Sequence, residues 1–113
     1  MKRAAALALL AACIHSPADK DPEAPRKFLV RLLETARAND AAAWRGMLSK
    51  RMQERQPDDA RARLPMQAWA EDLTKHDREI RAQHCVLGDG ALECGHFIVK
   101  VAVEDGEIRL DEN

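Results

Sequence analysis

Two Asp-Gly pairs near the C-terminus constrain the fold of this 113-residue chain more than any other feature. Asp89-Gly90 and Asp105-Gly106 each stand between runs rich in β-branched and other apolar residues. A two-residue type I′ turn needs positive φ at both central positions, and Asp-Gly adopts that conformation readily. The pairs therefore predict antiparallel strands over residues 79–88, 91–104 and 107–111, joined as a three-stranded meander.

The register of the second hairpin follows from the turn. A two-residue turn at Asp105-Gly106 pairs Val103 with Ile108 and Val101 with Leu110. Side chains alternate between the two faces of a strand, so these four residues lie on one face. An apolar sheet face must be covered, and upstream helices are expected to cover it.

Before residue 78 the apolar residues recur with a helical period of 3.6. Helices are predicted over 26–38, 41–54 and 65–75, with Asp40 capping the second and Pro65 in the first turn of the third. A helical turn over 59–64 stays open. The predicted fold class is α+β, in which two to three N-terminal helices pack on a curved, three-stranded antiparallel C-terminal sheet.

The first hairpin places two of the three cysteines opposite each other. A turn at Asp89-Gly90 pairs Cys85 with Cys94 at a non-hydrogen-bonded position, where the Cα separation suits a disulfide. We expect a Cys85–Cys94 disulfide, which leaves Cys13 as the third cysteine. The alternatives are free thiols or a metal site with His96. His84 points to the opposite face, so that site lacks the usual fourth ligand, and no metal is predicted.

The N-terminus has the pattern of a secretory signal. Met1-Lys2-Arg3 precedes nine residues of only Ala and Leu, and Cys13 follows. Nine helical residues are too short to cross a bilayer core of about 30 Å, so no permanent transmembrane helix is expected. The alternative interpretation is the first helix of a cytosolic protein.

The segment Leu10-Ala11-Ala12-Cys13 resembles the lipobox of bacterial lipoproteins. The resemblance implies that residues 1–12 are a signal peptide, and that lipid on Cys13 anchors the chain to a membrane. Residues 13–25, which include Pro17, Pro22 and Pro25, then form a tether. Residues 26–113 form one small domain on the periplasmic side of a bacterial envelope. Ile14, in place of Asp, favours the outer membrane by the same resemblance.

The domain resembles the nuclear transport factor 2-like superfamily, which has a cone-shaped α+β fold. The residues that carry the resemblance are Phe28-Leu29-x-x-Leu32-Leu33, Ala38-Asn39-Asp40-x-x-x-Trp44 and the closing stretch 97–112. This sequence has no Tyr and is shorter than usual. The Tyr-plus-Asp oxyanion arrangement of the family's ketosteroid isomerases is therefore not carried over, and the resemblance implies no catalytic residues.

Other candidate chemistry rests on few residues. Asp72 and His76 have the i, i+4 spacing that lets a carboxylate orient an imidazole, but an exposed helix face is the favoured interpretation. His84 and His96 are interpreted as strand residues. Core packing is likewise favoured over a ligand pocket for a set of large side chains at helical spacing, namely Trp44, Met47, Met52, Met66 and Trp69.

Charge and motifs narrow the function classes. The chain has 18 Lys and Arg against 19 Asp and Glu, so it lacks the basic excess typical of nucleic-acid binding. No cofactor motif is present.

The leading hypothesis is a lipid-anchored envelope protein whose non-enzymatic domain binds a protein or a small ligand. One alternative is a small isomerase, dehydratase or hydrolase with His84 or His76 as base. Another is an inhibitor or immunity-type lipoprotein.

Overall fold

A computed structural model describes residues 21–112, in which helices precede an antiparallel sheet. Five helices occur in this range: α1 (Ala24–Arg37), α2 (Ala41–Gly46), α3 (Lys50–Arg55), α4 (Asp59–Lys75) and α5 (Asp77–Ala82). Four strands follow in the sheet order β1-β2-β3-β4: β1 (Cys85–Leu87), β2 (Ala91–Cys94), β3 (Phe97–Glu104) and β4 (Glu107–Leu110).

The predicted three-stranded meander is wrong, because the sheet has four strands. The stretch 91–104 is interrupted at Gly95, which has φ +61°, and β2 and β3 form a hairpin around it. The predicted first strand is also too long. Residues 77–82 form α5, where Asp77 and Arg81 make an i, i+4 ion pair at 2.8 Å. Helix α5 therefore leaves only three residues to β1.

Within residues 21–112 there are five helices rather than the predicted two to three. The predicted helix over 41–54 is broken at Met47–Ser49, and Ser49 caps α3 by accepting a hydrogen bond from Met52 N. Helix α4 starts at Asp59 and not at Pro65, since the Asp58 side chain accepts from Arg61 N at 2.8 Å and caps it there. Cap residues thus place both boundaries.

The break between α2 and α3 joins the helices to the sheet. Leu48 forms a parallel bridge with Leu110, in which Ser49 N donates to Leu110 O at 2.8 Å and Leu110 N donates to Met47 O at 2.9 Å. Leu48 and Leu110 are fully buried. The segment therefore covers the β4 edge at Leu110, whose backbone N–H and C=O are both paired.

The strand register agrees with the two Asp-Gly turns. Val101 pairs with Leu110 and Val103 with Ile108, as predicted. At Asp105-Gly106 both φ angles are positive, as a type I′ turn requires, whereas at Asp89-Gly90 only Gly90 has positive φ, so the predicted type I′ turn is wrong there. The core face of the sheet packs on the helices, but it is incompletely covered at one end, where Val103 remains 49% exposed.

Candidate functional site

The two cysteines of the sheet lie on paired strands. Cys85 in β1 is opposite Cys94 in β2, with their Cα atoms 4.2 Å apart and their sulfur atoms 2.10 Å apart. Both cysteines are buried in the core. A bond at this distance closes a loop with a sequence separation of 9 and holds the short strand β1 against its neighbour. This geometry supports a structural cystine rather than an exposed, reactive pair.

His84 and His96 do not assemble a site around the cysteines. Both are exposed. The backbone N of His96 donates to Glu79 Oε2 at 3.0 Å, which holds the β2–β3 turn against α5. In residues 21–112, no group of three His, Cys, Asp or Glu side chains has a metal-binding arrangement.

The i, i+4 pair of α4 lies at the C-terminal end of that helix. The ring of His76 stacks on Phe97 with 4.7 Å between ring centroids, and its Nδ1 lies 2.9 Å from the backbone O of Asp72. The Asp72 carboxylate is farther from Nδ1, at 3.8 Å. No hydrogen bond or ring contact within the described residues joins His76 to His84 or His96. The imidazole therefore packs over the core and closes the end of α4.

The Trp and Met residues at helical spacing belong to the core. Trp44, Met52 and Met66 have no exposed surface, and Trp44 Nε1 donates to the buried Gln56 Oε1 at 3.3 Å. A buried indole N–H paired in this way has no capacity left for a ligand. Core packing explains Trp44, Met52 and Met66, as predicted.

A shallow, open depression of about 210 Å³ lies beside α4. Its lining includes Trp69, Asp72 and Glu112, together with Ala68. Glu112 Oε1 also accepts a hydrogen bond from Lys100 N at 2.8 Å, which fixes the carboxylate against β3. No local sequence pattern indicates this depression, because Glu112 is far from α4 in the chain. The depression is open to solvent, and the Asp72 and Glu112 carboxylates are the charged groups in its lining.

A second polar cluster joins β4 to α3. The Asp111 carboxylate accepts hydrogen bonds from Ser49 Oγ at 2.6 Å and from Arg51 Nε at 3.2 Å. These two hydrogen bonds hold the pKa of Asp111 below its ordinary value, and the bond from Ser49 has the larger effect. Because each group already has partners within the domain, the cluster is structural. Local sequence patterns carry no signal for contacts across about sixty residues.

Apolar side chains are exposed on the outer face of the sheet, away from the helices. Val86 of β1 is 50% exposed and Ile98 of β3 is 58% exposed. Glu93 lies between them, since it pairs with both across the sheet. These residues were not singled out from the sequence, where they are part of the ordinary alternation.

Cys13, the predicted lipid-anchor residue, lies outside the described residues 21–112. No helix of the described part is both long enough and apolar enough to cross a membrane. Comparison of the chain with protein-family models, curated proteins and solved structures finds no match.

Proposed function

We propose that this chain is a bacterial lipoprotein, held at the envelope by lipid on Cys13, and that its small α+β domain binds a partner there without catalysing a reaction. The anchor rests on the N-terminal pattern of a basic head, an apolar run and a cysteine. The periplasmic side, and preferentially the outer membrane, is its proposed location.

The pairing of Cys85 with Cys94 on neighbouring strands, with their Cα atoms 4.2 Å apart, is the observation that carries the proposal. Disulfides form and persist in oxidising compartments such as the periplasm and are rare in the cytosol. Pairing these two cysteines leaves Cys13 as the remaining cysteine of the chain. A lipobox uses such a cysteine, so the disulfide and the anchor support the same location.

The arrangement of polar groups supports a binding role over an enzymatic one. General acid–base catalysis needs an acid or base within hydrogen-bond reach of a bound substrate. His84 is exposed, and His76 is stacked on Phe97 with its Nδ1 turned to a backbone carbonyl. The depression beside Trp69 is shallow, which suits a protein side chain or a small ligand. The resemblance to the nuclear transport factor 2-like superfamily stays a prediction.

Mass analysis of the full chain expressed in a Gram-negative host tests the proposal. The membrane fraction is expected to contain a chain that lacks residues 1–12, carries acyl groups on Cys13, and yields a disulfide-linked peptide containing Cys85 and Cys94. The matched control is the Cys13→Ala variant, which is expected to carry no acyl group while keeping the disulfide. An unprocessed wild-type chain with three free thiols would contradict the anchor and the compartment together.

A further inference from the structure

The two Asp-Gly turns have the same central residues but different backbone conformations. Asp105 has φ +55° and Gly106 has φ +78°, whereas in the first turn only Gly90, with φ +78°, lies in the left-handed region. Both aspartates are exposed to solvent. The chain therefore presents one reactive dipeptide in two conformations.

An Asp-Gly pair can rearrange without an enzyme, because glycine has no Cβ to hinder its own backbone nitrogen. This nitrogen attacks the Cγ atom of the preceding neutral carboxyl group. A bond forms between nitrogen and Cγ, and the hydroxyl group leaves as water with the proton from nitrogen, which gives a succinimide ring. Water then adds to the backbone carbonyl carbon of the aspartate and breaks its bond to the glycine nitrogen. The main chain now runs through Cβ and Cγ as isoaspartate, with no net change in composition and no oxidation or reduction.

The second turn holds its backbone in a conformation that opposes this ring closure. Closure needs the glycine nitrogen on the same side of the Cα–C bond as the aspartate Cβ. A type I′ turn is the mirror image of type I and holds ψ of its first central residue at about +30°, which places Gly106 N nearly opposite Asp105 Cβ. The pairing of Glu104 with Glu107 beside the turn maintains this conformation. Asp105 is therefore protected as long as the end of the hairpin stays closed.

The first turn lacks this protection. Asp89 lies outside the left-handed region, and neither its carboxylate nor the N–H of Gly90 makes a hydrogen bond within residues 21–112. A Cβ added at Gly90 would meet no atom within 4 Å, so the space around the turn is open. Gly88 N donates to Ala91 O at 2.8 Å, which holds the strand ends together. The backbone at Asp89 can therefore rotate toward ring closure while β1 and β2 stay paired.

We propose that Asp89 is a site of spontaneous isoaspartate formation in the folded protein, and that Asp105 is protected by its turn. The rearrangement adds one methylene group to the main chain between β1 and β2. The Cys85–Cys94 disulfide joins the same two strands, so their register is kept when the turn becomes longer. The modified chain therefore stays folded and exposes the isoaspartate to a protein L-isoaspartyl methyltransferase.

Methylation by a purified protein L-isoaspartyl methyltransferase measures this modification. The folded full chain is aged at physiological temperature and mildly acidic pH, because the neutral carboxyl group is the reactive form. Labelled methyl groups transferred from S-adenosylmethionine are then quantified, and electron-transfer fragmentation of the peptides assigns each isoaspartate to Asp89 or Asp105. We expect several-fold more isoaspartate at Asp89 than at Asp105, with the disulfide and the melting temperature retained.

Asp89→Glu is the matched variant, because a glutamate side chain would have to close a larger ring, which forms much more slowly. Asp89 is exposed and makes no hydrogen bond within the described residues, so D89E is expected to keep the wild-type melting temperature. It should lose most of the methyl incorporation. The reduced wild-type chain in urea is the reference, in which both Asp-Gly pairs are expected to isomerise at similar rates.

Three results would overturn the inference. The first is equal isoaspartate at the two residues of the folded chain, or more of it at Asp105. The second is its absence at Asp89 under conditions in which the unfolded reference forms it. The third is undiminished methylation of D89E, which would assign the reaction to another residue. None of these results depends on acylation of Cys13, so the inference is tested independently of the proposed function.

Discussion

At Gly95 the backbone takes a conformation that other residues rarely adopt. Its φ is +61°, and a Cβ there would lie 3.0 Å from Gln83 Cγ and 3.2 Å from Glu79 Oε2. We expect Gly95→Ala to lower the free energy of unfolding by about 1–2 kcal/mol, because the strain and the close contact add. Urea denaturation of the variant and the wild type measures this loss. The control is Gly46→Ala, where no atom lies within 4 Å of the added Cβ. Equal stability of the two variants would contradict this account.

The ionisation of Asp111 makes the free energy of unfolding depend on pH, and its contacts determine the direction of that dependence. The hydrogen bonds from Ser49 and Arg51 hold the pKa of this carboxyl below 3.8 in the folded state. The ionised form is thus favoured by folding. Its contribution is present above about pH 4 and is lost as the pH falls through the lower folded pKa.

Unfolding of Asp111→Asn checks this prediction. At neutral pH the variant is expected to lose about 1–2 kcal/mol, because Asn keeps an acceptor oxygen but lacks the charge that strengthens the bonds from Ser49 and Arg51. This loss should shrink as the pH falls below about 4, because the carboxyl is protonated first in the unfolded wild-type chain and, at still lower pH, in the folded one. Asp89→Asn is the control, because Asp89 is exposed and makes no hydrogen bond within the described residues. A deficit in D111N that is independent of pH would refute the assignment.

At the scale of elements, the short strand β1 depends on its covalent link to β2. Replacing both Cys85 and Cys94 by Ser is expected to cost about 2–3 kcal/mol, the magnitude that loop-closure entropy predicts for a short loop. Hydrogen exchange should then show faster opening of β1, with β3 and β4 less affected. Reduced wild-type protein is the control, because it lacks the disulfide but keeps both cysteine side chains. If the double variant were as stable as the oxidised protein, the link would not support the sheet.

The sequence predicted those elements whose signals are local. The Asp-Gly turns and the alternation beside them determined the register, including the Cys85–Cys94 pairing, since partners on adjacent strands are set by the turn that joins them. The break at Gly95 was missed because apolar residues continue on both sides of it. A single Gly within a strand pattern indicates a bulge as readily as a turn.

Other features depend on contacts that no local pattern encodes. Met47–Ser49 leaves the helical conformation where it pairs with Leu110, and the depression at Trp69 is completed by Glu112. In both cases the partners come together only in the tertiary structure. The predicted helix start at Pro65 is wrong for a different reason, since the local signal was present but a stronger one lies upstream. Pro65 is favourable in a first helical turn, but the Asp58 cap starts α4 earlier and the helix continues through the Pro.

At the scale of the molecule, electrostatics contribute little to the stability of the described domain. Ion pairs of this domain, such as Lys27–Asp21 and Arg81–Asp77, are partly exposed, and the whole chain has a formal charge of −1. Exposed pairs contribute about 0–1 kcal/mol each and are screened by salt. We expect the free energy of unfolding to change by less than about 1 kcal/mol between low and high NaCl concentrations. Urea titrations at both concentrations test this, and a larger change would reveal a cooperative charge network.

The pairing of Leu48 with Leu110 also affects when the domain can fold during synthesis. The partners of residues 47–49 are made about sixty residues later, and Asp111 must be present before Ser49 can donate its hydrogen bond. A nascent chain that has not reached this point has an unpaired segment between α2 and α3. The fold therefore cannot be completed until Leu110 and Asp111 have been synthesised and have left the ribosome.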